Sequence, residues 1–450
     1  RYTMVQVYYK HDVHKTKTQE DLKNSLAHKL FSIMLNARLE ELLQKSDPPF
    51  VYGFTDYINL ERSKDAYTSF AISKNNQTLR TLETLLTENE RVKKFGFTKT
   101  EMERAKKELL KKMEKEFKER NKQKSDKYAW DYYGNFLNDD PIPGIEYLYA
   151  FTQKMLPDIT LKQVNGLIGK WVTDENRVVI ITGPENEEVE MPAKEQVMEV
   201  INTVPGKEIV PYKDKVSDEP LMAEMPEPGK IIKEKYNKEL GYTEFFLDNG
   251  VKVTIKTTDY KDDEILMKAY SPGGTSRYPE EDIMSADLAS AIISTSGVGD
   301  FDNIELGKML ADKNVSVRPY IAELREGFNC KTTPEDLETM LQLTHLYFIK
   351  PRKDSTAFAS TINRYKAFME NKGNDPNSIV RDTFLVTLYN HHPYRMPWDA
   401  ETLEQADLNR VFEIYNDRFA DASDFHFYFV GNIDSAAIRP LIEKDLGSLP

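Results

Sequence analysis

Two stretches of this chain recur in the same order about 250 residues apart, and a duplicated domain is the constraint that any fold must satisfy. The run LETLLTENERVKKFGF (82 to 97) has a counterpart in LETMLQLTHLYFIKPR (337 to 352), each preceded by a short strand and followed by a second helix. The run WVTDENRVVIITG (171 to 183) has another in FADASDFHFYFVG (419 to 431). Each copy reads as α+β, mostly antiparallel strands with helices packed on one face. With 450 residues, two domains of about 200 residues each is also what chain length favours.

Local signals place the elements. Leu22, Leu26, Leu30, Ile33, Met34, Leu39 and Leu42 recur at three- and four-residue spacing, which predicts an amphipathic helix over 20 to 45. AYTSFAIS (66 to 73) alternates as a strand, and a helix from Leu79 to about Lys94 stops at Gly96. Thr98 with Glu101 three residues on has the form of a capping box, opening a charged helix through Glu116 whose charge run reads as a solvated face. A helix follows over 160 to 172, and RVVIITG (177 to 183) reads as a buried strand closed by Gly183 and Pro184. From about Pro184 to Gly241, six further prolines after Pro184 sit among Glu, Lys and Asp with little periodicity, the composition of an extended linker. The strand pair FFLDNGVKVTIK then turns at Asp248, Asn249 and Gly250, residues that tolerate positive φ. The expected division is therefore 1–185, a linker over 186–240, and 241–450. The chain opens directly in a strand pattern at Arg1 and ends just after Leu449, so both ends read as cuts in a longer polypeptide.

Composition excludes several classes. A net charge of -13 without a compact basic patch argues against nucleic acid as partner, and no apolar run approaches the roughly 20 residues that span a bilayer. Cys330 is the single cysteine, which rules out an intrachain disulfide and a thiolate metal cage.

Taken in order, LFSIMLNARLEELLQK, YYGNFLNDDPIPGIEY, LDNGVKVTI, SPGGTSRYPEED, NHHPYRMPW and YFVGNID followed by LGSLP resemble the pitrilysin/insulinase family of zinc metallopeptidases. Long members chain four related α+β domains as two halves joined by an extended linker. The resemblance implies that 1–185 is second-domain-like and 241–450 third-domain-like, with the first and fourth domains of the same chain outside this sequence.

Catalysis in that family uses an inverted His-x-x-Glu-His zinc motif, in which two helical His bind the metal and the Glu activates water. None of the seven histidines starts or ends such a motif. Aligning the GGTSRYPEED segment and Phe301 with the family pattern places Leu288, Ala291 and Ile292 at the positions of the two ligands and the general base. Zinc is then expected in the parent protein and not in this chain. The family also uses an Arg and a Tyr facing the zinc site to bind substrate carbonyls, and the related positions here fall near Arg38 and Phe50 or Tyr52, separated by the insertion QKSDPP. A substrate contact by Arg38 and Tyr52 competes with Arg38 as a structural ion pair or surface arginine.

The remaining motifs read as ordinary structure. His11 and His14 form a His-x-x-His pair without a predictable third ligand, and His391 and His392 fall in a loop. Ser271 to Gly274 lacks the Gly-Lys-Ser/Thr ending of a phosphate loop.

The resemblance implies the noncatalytic central part of a zinc endopeptidase that encloses peptides or unfolded polypeptides in a chamber. A catalytically inactive scaffold or partner subunit is the competing reading. The two are told apart by whether the longer polypeptide carries His-x-x-Glu-His. Bacterial members point to periplasm or cell envelope as the compartment.

Overall fold

The computed structural model describes residues 2–450 apart from Asn186, Glu188, Asp218 and Asn374. The chain divides into two compact units, one of residues 1–215 with 363–384, the other of 216–362 with 385–450.

The first unit runs β1 (Met4–Asp12), α1 (Gln19–Leu43), β2 (Tyr52–Glu61), β3 (Lys64–Ile72), α2 (Thr78–Phe95), α3 (Lys99–Lys118), α4 (Ser125–Asn138), α5 (Ile145–Met155), α6 (Leu161–Asn165), α7 (Leu167–Trp171), β4 (Arg177–Thr182) and α8 (Lys194–Thr203). Helix α1 starts where Thr18 accepts from the Asp21 N–H and Asp21 bonds back to Thr18, a reciprocal cap that satisfies two orphan donors. Thr98 and Glu101 do the same for α3. Helix α2 ends at Gly96, whose φ of 71° only glycine adopts cheaply. The predicted helix over 160 to 172 is two short ones broken at Gly166. The four strands lie antiparallel in the order β2-β3-β1-β4. Leu30, Phe31 and Leu35 of α1 are fully buried in a cluster with Val5 and Val7 of β1. Removing a side chain of that size from water contributes about 1.5–3 kcal/mol each. Trp171 closes one end, stacked 5.3 Å from the Tyr67 ring and edge-on to Phe31 at 5.0 Å.

The second unit holds β5 (Ile231–Asn237), β6 (Tyr242–Leu247), β7 (Lys252–Thr257), β8 (Ile265–Pro272), α9 (Ile283–Ser296), α10 (Asn303–Met309), β9 (Ser316–Ile321), β10 (Arg325–Thr332) and α11 (Leu337–Ile349). The helices α12 (Ser355–Lys372) and α13 (Pro376–Leu388) cross between the units, and α14 (Leu408–Arg418), β11 (His426–Gly431) and α15 (Ser435–Asp445) complete the second. Its seven strands are ordered β5-β6-β7-β11-β8-β10-β9, antiparallel except for the β7–β11 pair. The turn between β6 and β7 uses Gly250 at φ 91°.

The duplication is visible in topology. Strands β1, β2, β3 and β4 correspond in chain order to β8, β9, β10 and β11, and both sets assemble in the same spatial order, β2-β3-β1-β4 and β9-β10-β8-β11. The repeated helix is α2 in one unit and α11 in the other; the repeated strand is β4 in one and β11 in the other. The fold is α+β with two related sheets.

In the segment joining the sheets, the described residues of 207–230 form neither helix nor strand, as their prolines require. The part before it is more structured than its composition suggests. Val197, Val200, Ile201 and Val204 recur at helical spacing, so α8 packs Ile201, and Val204 just beyond it, into the first unit's core. Arg104 then holds Asp214 at 3.1 Å.

Candidate functional site

Leu288 and Ile292 lie one turn apart on α9, and both are fully buried, as is Ala289 between them. Ala291 is partly exposed and borders a cavity of about 480 Å³ with Ser290, Ser294, Leu306, Val317 and Arg318. Three hydrocarbon side chains offer no lone pair and no titrating group, so this helix does not fit a zinc ion or a general base. Among the described residues, no three His, Cys, Asp or Glu side chains gather to hold a metal ion.

The first unit holds a larger groove beside α1. Helix α1 occupies the position of α9 in the repeat, and together with β2, α3 and α5 it walls a groove of about 730 Å³. Leu22, Ile33, Phe54, Leu109, Met113 and Phe151 line it. Charged groups of both signs line it too: Glu40, Asp56, Lys112 and Glu116 stand with the Lys29 ammonium, whose pKa burial pushes down with the neighbouring Lys112 charge adding to the effect, and the Glu108 carboxyl, which burial pushes up. A polar hollow of about 550 Å³ shares Ser25, Lys29 and Asp56 with this groove. A concave surface that mixes apolar side chains with charges of both signs suits an amphipathic ligand.

Strand β2 borders the groove and forms the edge of its sheet. Its backbone at Thr55 is closed by a side chain: Asn36 Oδ1 accepts from the Thr55 N–H at 2.7 Å, and Asn36 Nδ2 donates to the Thr55 carbonyl at 3.0 Å. One amide thus stands in for a neighbouring strand. Nothing in the local pattern of α1 singles out Asn36, because its partner lies 19 residues away across a loop.

The histidines do not converge. His11 Nε2 meets the Trp171 carbonyl oxygen at 3.1 Å, while His14 Nε2 meets Asp21 Oδ1 at 2.9 Å. His28 is edge-on to Trp171 at 4.8 Å, and burial lowers its pKa to about 4. His392 accepts from the Tyr394 N–H at 3.4 Å, a capping role. At Gly273–Gly274 the turn binds a carboxylate of its own chain, since the Gly274 N–H donates to buried Glu326 at 2.6 Å. An anion such as phosphate finds that position taken.

No protein-family model matches the chain. It is 26% identical over 99% of its length to a protein described as "Zinc protease PQQL-like" from Arabidopsis thaliana, covering 41% of that protein. It is 21% identical over 97% of its length to "Probable zinc protease PqqL" from Haemophilus influenzae, covering 46% of it. The chain thus spans less than half the length of these curated relatives. Among solved structures, the ferredoxin protease FusC (E83A mutant, in complex with Arabidopsis ferredoxin) matches all of this chain over 50% of its own, with a TM-score of 0.62 and 14% identity. The periplasmic protease PqqL from Escherichia coli also aligns along the whole chain, at 15% identity and a TM-score of 0.48. This is a pitrilysin/insulinase-like chain without the zinc motif.

For a pitrilysin/insulinase-like chain, the resemblance implies a substrate contact near Arg38 and Phe50 or Tyr52. Arg38 is 2% exposed, with Nε 2.7 Å from Glu101 Oε1, Nη2 2.9 Å from Glu101 Oε2, and Nη2 also donating to the Gly96 carbonyl at 3.1 Å. The rings of Phe97 and Tyr212 sit 4.8 Å and 4.3 Å from its guanidinium carbon. That geometry is the structural ion pair among the alternatives weighed above. Tyr52 is 47% exposed at the start of β2, beside Phe54 at 5.9 Å and Phe70 at 6.3 Å. Arg38 faces a different set of rings from Tyr52, so the two do not form a common carbonyl-binding pair here.

Proposed function

We propose that this chain is a noncatalytic part of a zinc-dependent endopeptidase, holding peptide or unfolded polypeptide for a zinc centre carried outside residues 1–450. The observation that carries this reading is the groove of about 730 Å³ between α1, β2, α3 and α5, which mixes apolar side chains with charges of both signs and is large enough for several peptide side chains. The curated relatives' description as zinc proteases supports the reaction class. Under this reading 1–185 and 241–450 act as second and third domains, 186–240 is their linker, and the first and fourth domains are the partners that complete a chamber. The same family reading places the protein in a bacterial periplasm or cell envelope.

Fluorescence anisotropy with a labelled unfolded peptide, run beside metal analysis and a cleavage assay with and without added zinc, tests this. Saturable binding without cleavage, and without stoichiometric zinc, is expected. One equivalent of tightly held zinc with chelator-sensitive proteolysis that survives repurification overturns the noncatalytic assignment. Absence of peptide binding overturns the holding role.

A further inference from the structure

The two sheets end in four edges, and three of them carry devices that discourage a further strand. Strand β2 has Asn36 bonded across Thr55 and a register shift between Asn59 and Glu61. Strand β9 has Pro319, which lacks an N–H. Strand β5 has Lys233, Glu234 and Lys235 with a register shift between Ile231 and Lys233. Charges, prolines and bulges are what folded proteins use to blunt an open edge. The fourth edge, β4, reads Arg-Val-Val-Ile-Ile-Thr and has none of these beyond Arg177 at its start.

Its repeat counterpart shows what such a strand is built for. Strand β11 carries β7 on its far side in parallel register, Phe427 opposite Val253 and Phe429 opposite Ile255. All four side chains are at most 3% exposed. In the first unit, β4 pairs only with β1 among the described residues. Val179 and Ile181, at the positions of Phe427 and Phe429, pack on the core yet stay partly exposed, and Ile180 is 41% exposed. The Lys10 N–H donates to the Asn176 carbonyl, so the even-numbered residues of β4 bond to β1. The backbone groups of Arg177, Val179 and Ile181 therefore point away from the sheet.

We propose that β4 is the acceptor for one further strand, parallel to it and alternating in apolar residues, supplied by the same protein from outside residues 1–450. In the second unit β7 directly precedes β8, so the matching strand precedes β1 in the chain. Its apolar side chains cover Val179 and Ile181 as Val253 and Ile255 cover Phe427 and Phe429. The curated relatives extend well beyond the 41% and 46% of their length matched here, so chain to supply it exists in proteins of this kind.

Hydrogen–deuterium exchange on residues 1–450 and on the full-length protein tests the assignment. The Val179 and Ile181 amides should exchange at least about 100-fold more slowly in the full-length protein, with the β1 and β3 amides as internal standards. Equal rates in both overturn it. Protection that rises with concentration in residues 1–450 alone assigns the edge to a second copy and overturns it as well. The substitution Val179→Pro removes an outward N–H, and its loss of the valine packing and its fixed φ act on both proteins alike. It should lower the Tm of the full-length protein by more than that of residues 1–450, and equal effects on both contradict the proposal.

Discussion

Arg38 and Glu101 form a two-point ion pair inside the first unit, both side chains at most 3% exposed. Glu101 also receives the Thr98 N–H at 2.7 Å, so one carboxylate neutralises α1's arginine and caps α3. Arg38 Nη1 finds no hydrogen-bond partner among the described residues. Arg38→Ala leaves a buried carboxylate without its cation, at a cost of about 3–5 kcal/mol. Replacing both residues by Met should cost markedly less, because neither charge is then stranded. Urea denaturation of the two variants checks this. Destabilisation by the double change equal to or greater than that by the single change would contradict this.

The groove offers a substitution that spares the core. Ala37 lies on its wall and is exposed on α1, so Ala37→Trp fills space with little effect on the helix, Trp and Ala differing by well under about 1 kcal/mol in helix propensity. Peptide affinity is expected to fall by about tenfold or more, equivalent to about 1.4 kcal/mol. The Tm should hold within a degree or two. Unchanged affinity would move the binding surface elsewhere.

Asp445 makes stability depend on pH. Its side chain is fully buried at the end of α15, neither oxygen has a hydrogen-bond partner among the described residues, and Lys444 Nζ is 3.9 Å away. Burial chiefly raises its pKa to about 7, with Glu338 adding to the rise and Lys444 opposing it. The folded state therefore holds a proton that the unfolded state releases near pH 4. This contribution is complete below that value and declines as pH rises to about 7, amounting to at most about 4 kcal/mol. Asp445→Asn should flatten this part of the stability profile. An unaltered profile between pH 4 and 7 would place the titration elsewhere.

Local chemistry was readable where a few neighbouring residues decide the outcome. Thr98 with Glu101, Gly96 and the Asp248–Gly250 turn act as their spacing predicts, and the two repeated runs land on matching elements. Features set by distant residues were not readable. Strand β4 was expected to be buried, but Val179 and Ile181 are only partly covered because one flank of the strand is open. Asn36 looks like any polar residue on α1 until β2 folds against it. Arg38 carries no local sign of Glu101, 63 residues on, and Tyr212, from the proline-rich segment, is what covers its guanidinium.

Rebuilding the zinc motif on α9 is the hardest test of its loss. The triple change Leu288→His, Ala291→Glu and Ile292→His restores the spacing of His-x-x-Glu-His on a single helix. Spacing is not sufficient here. Leu288 and Ile292 are fully buried, so each imidazole enters a packed apolar site and loses its water without gaining a metal. A catalytic zinc also needs a third protein ligand, and the lining of the adjoining cavity, Ser290, Ser294, Leu306, Val317, Arg318 and Leu343 among it, brings an arginine but no carboxylate or imidazole. Arg318 would repel a dication. Trading two buried aliphatic side chains for imidazoles should cost several kcal/mol, about 2–5 for each lost packing site. The expected variant is therefore strongly destabilised, with no zinc retained after gel filtration. A folded triple variant carrying one equivalent of zinc would show that α9 keeps a latent metal site, and that only three substitutions separate it from a working one.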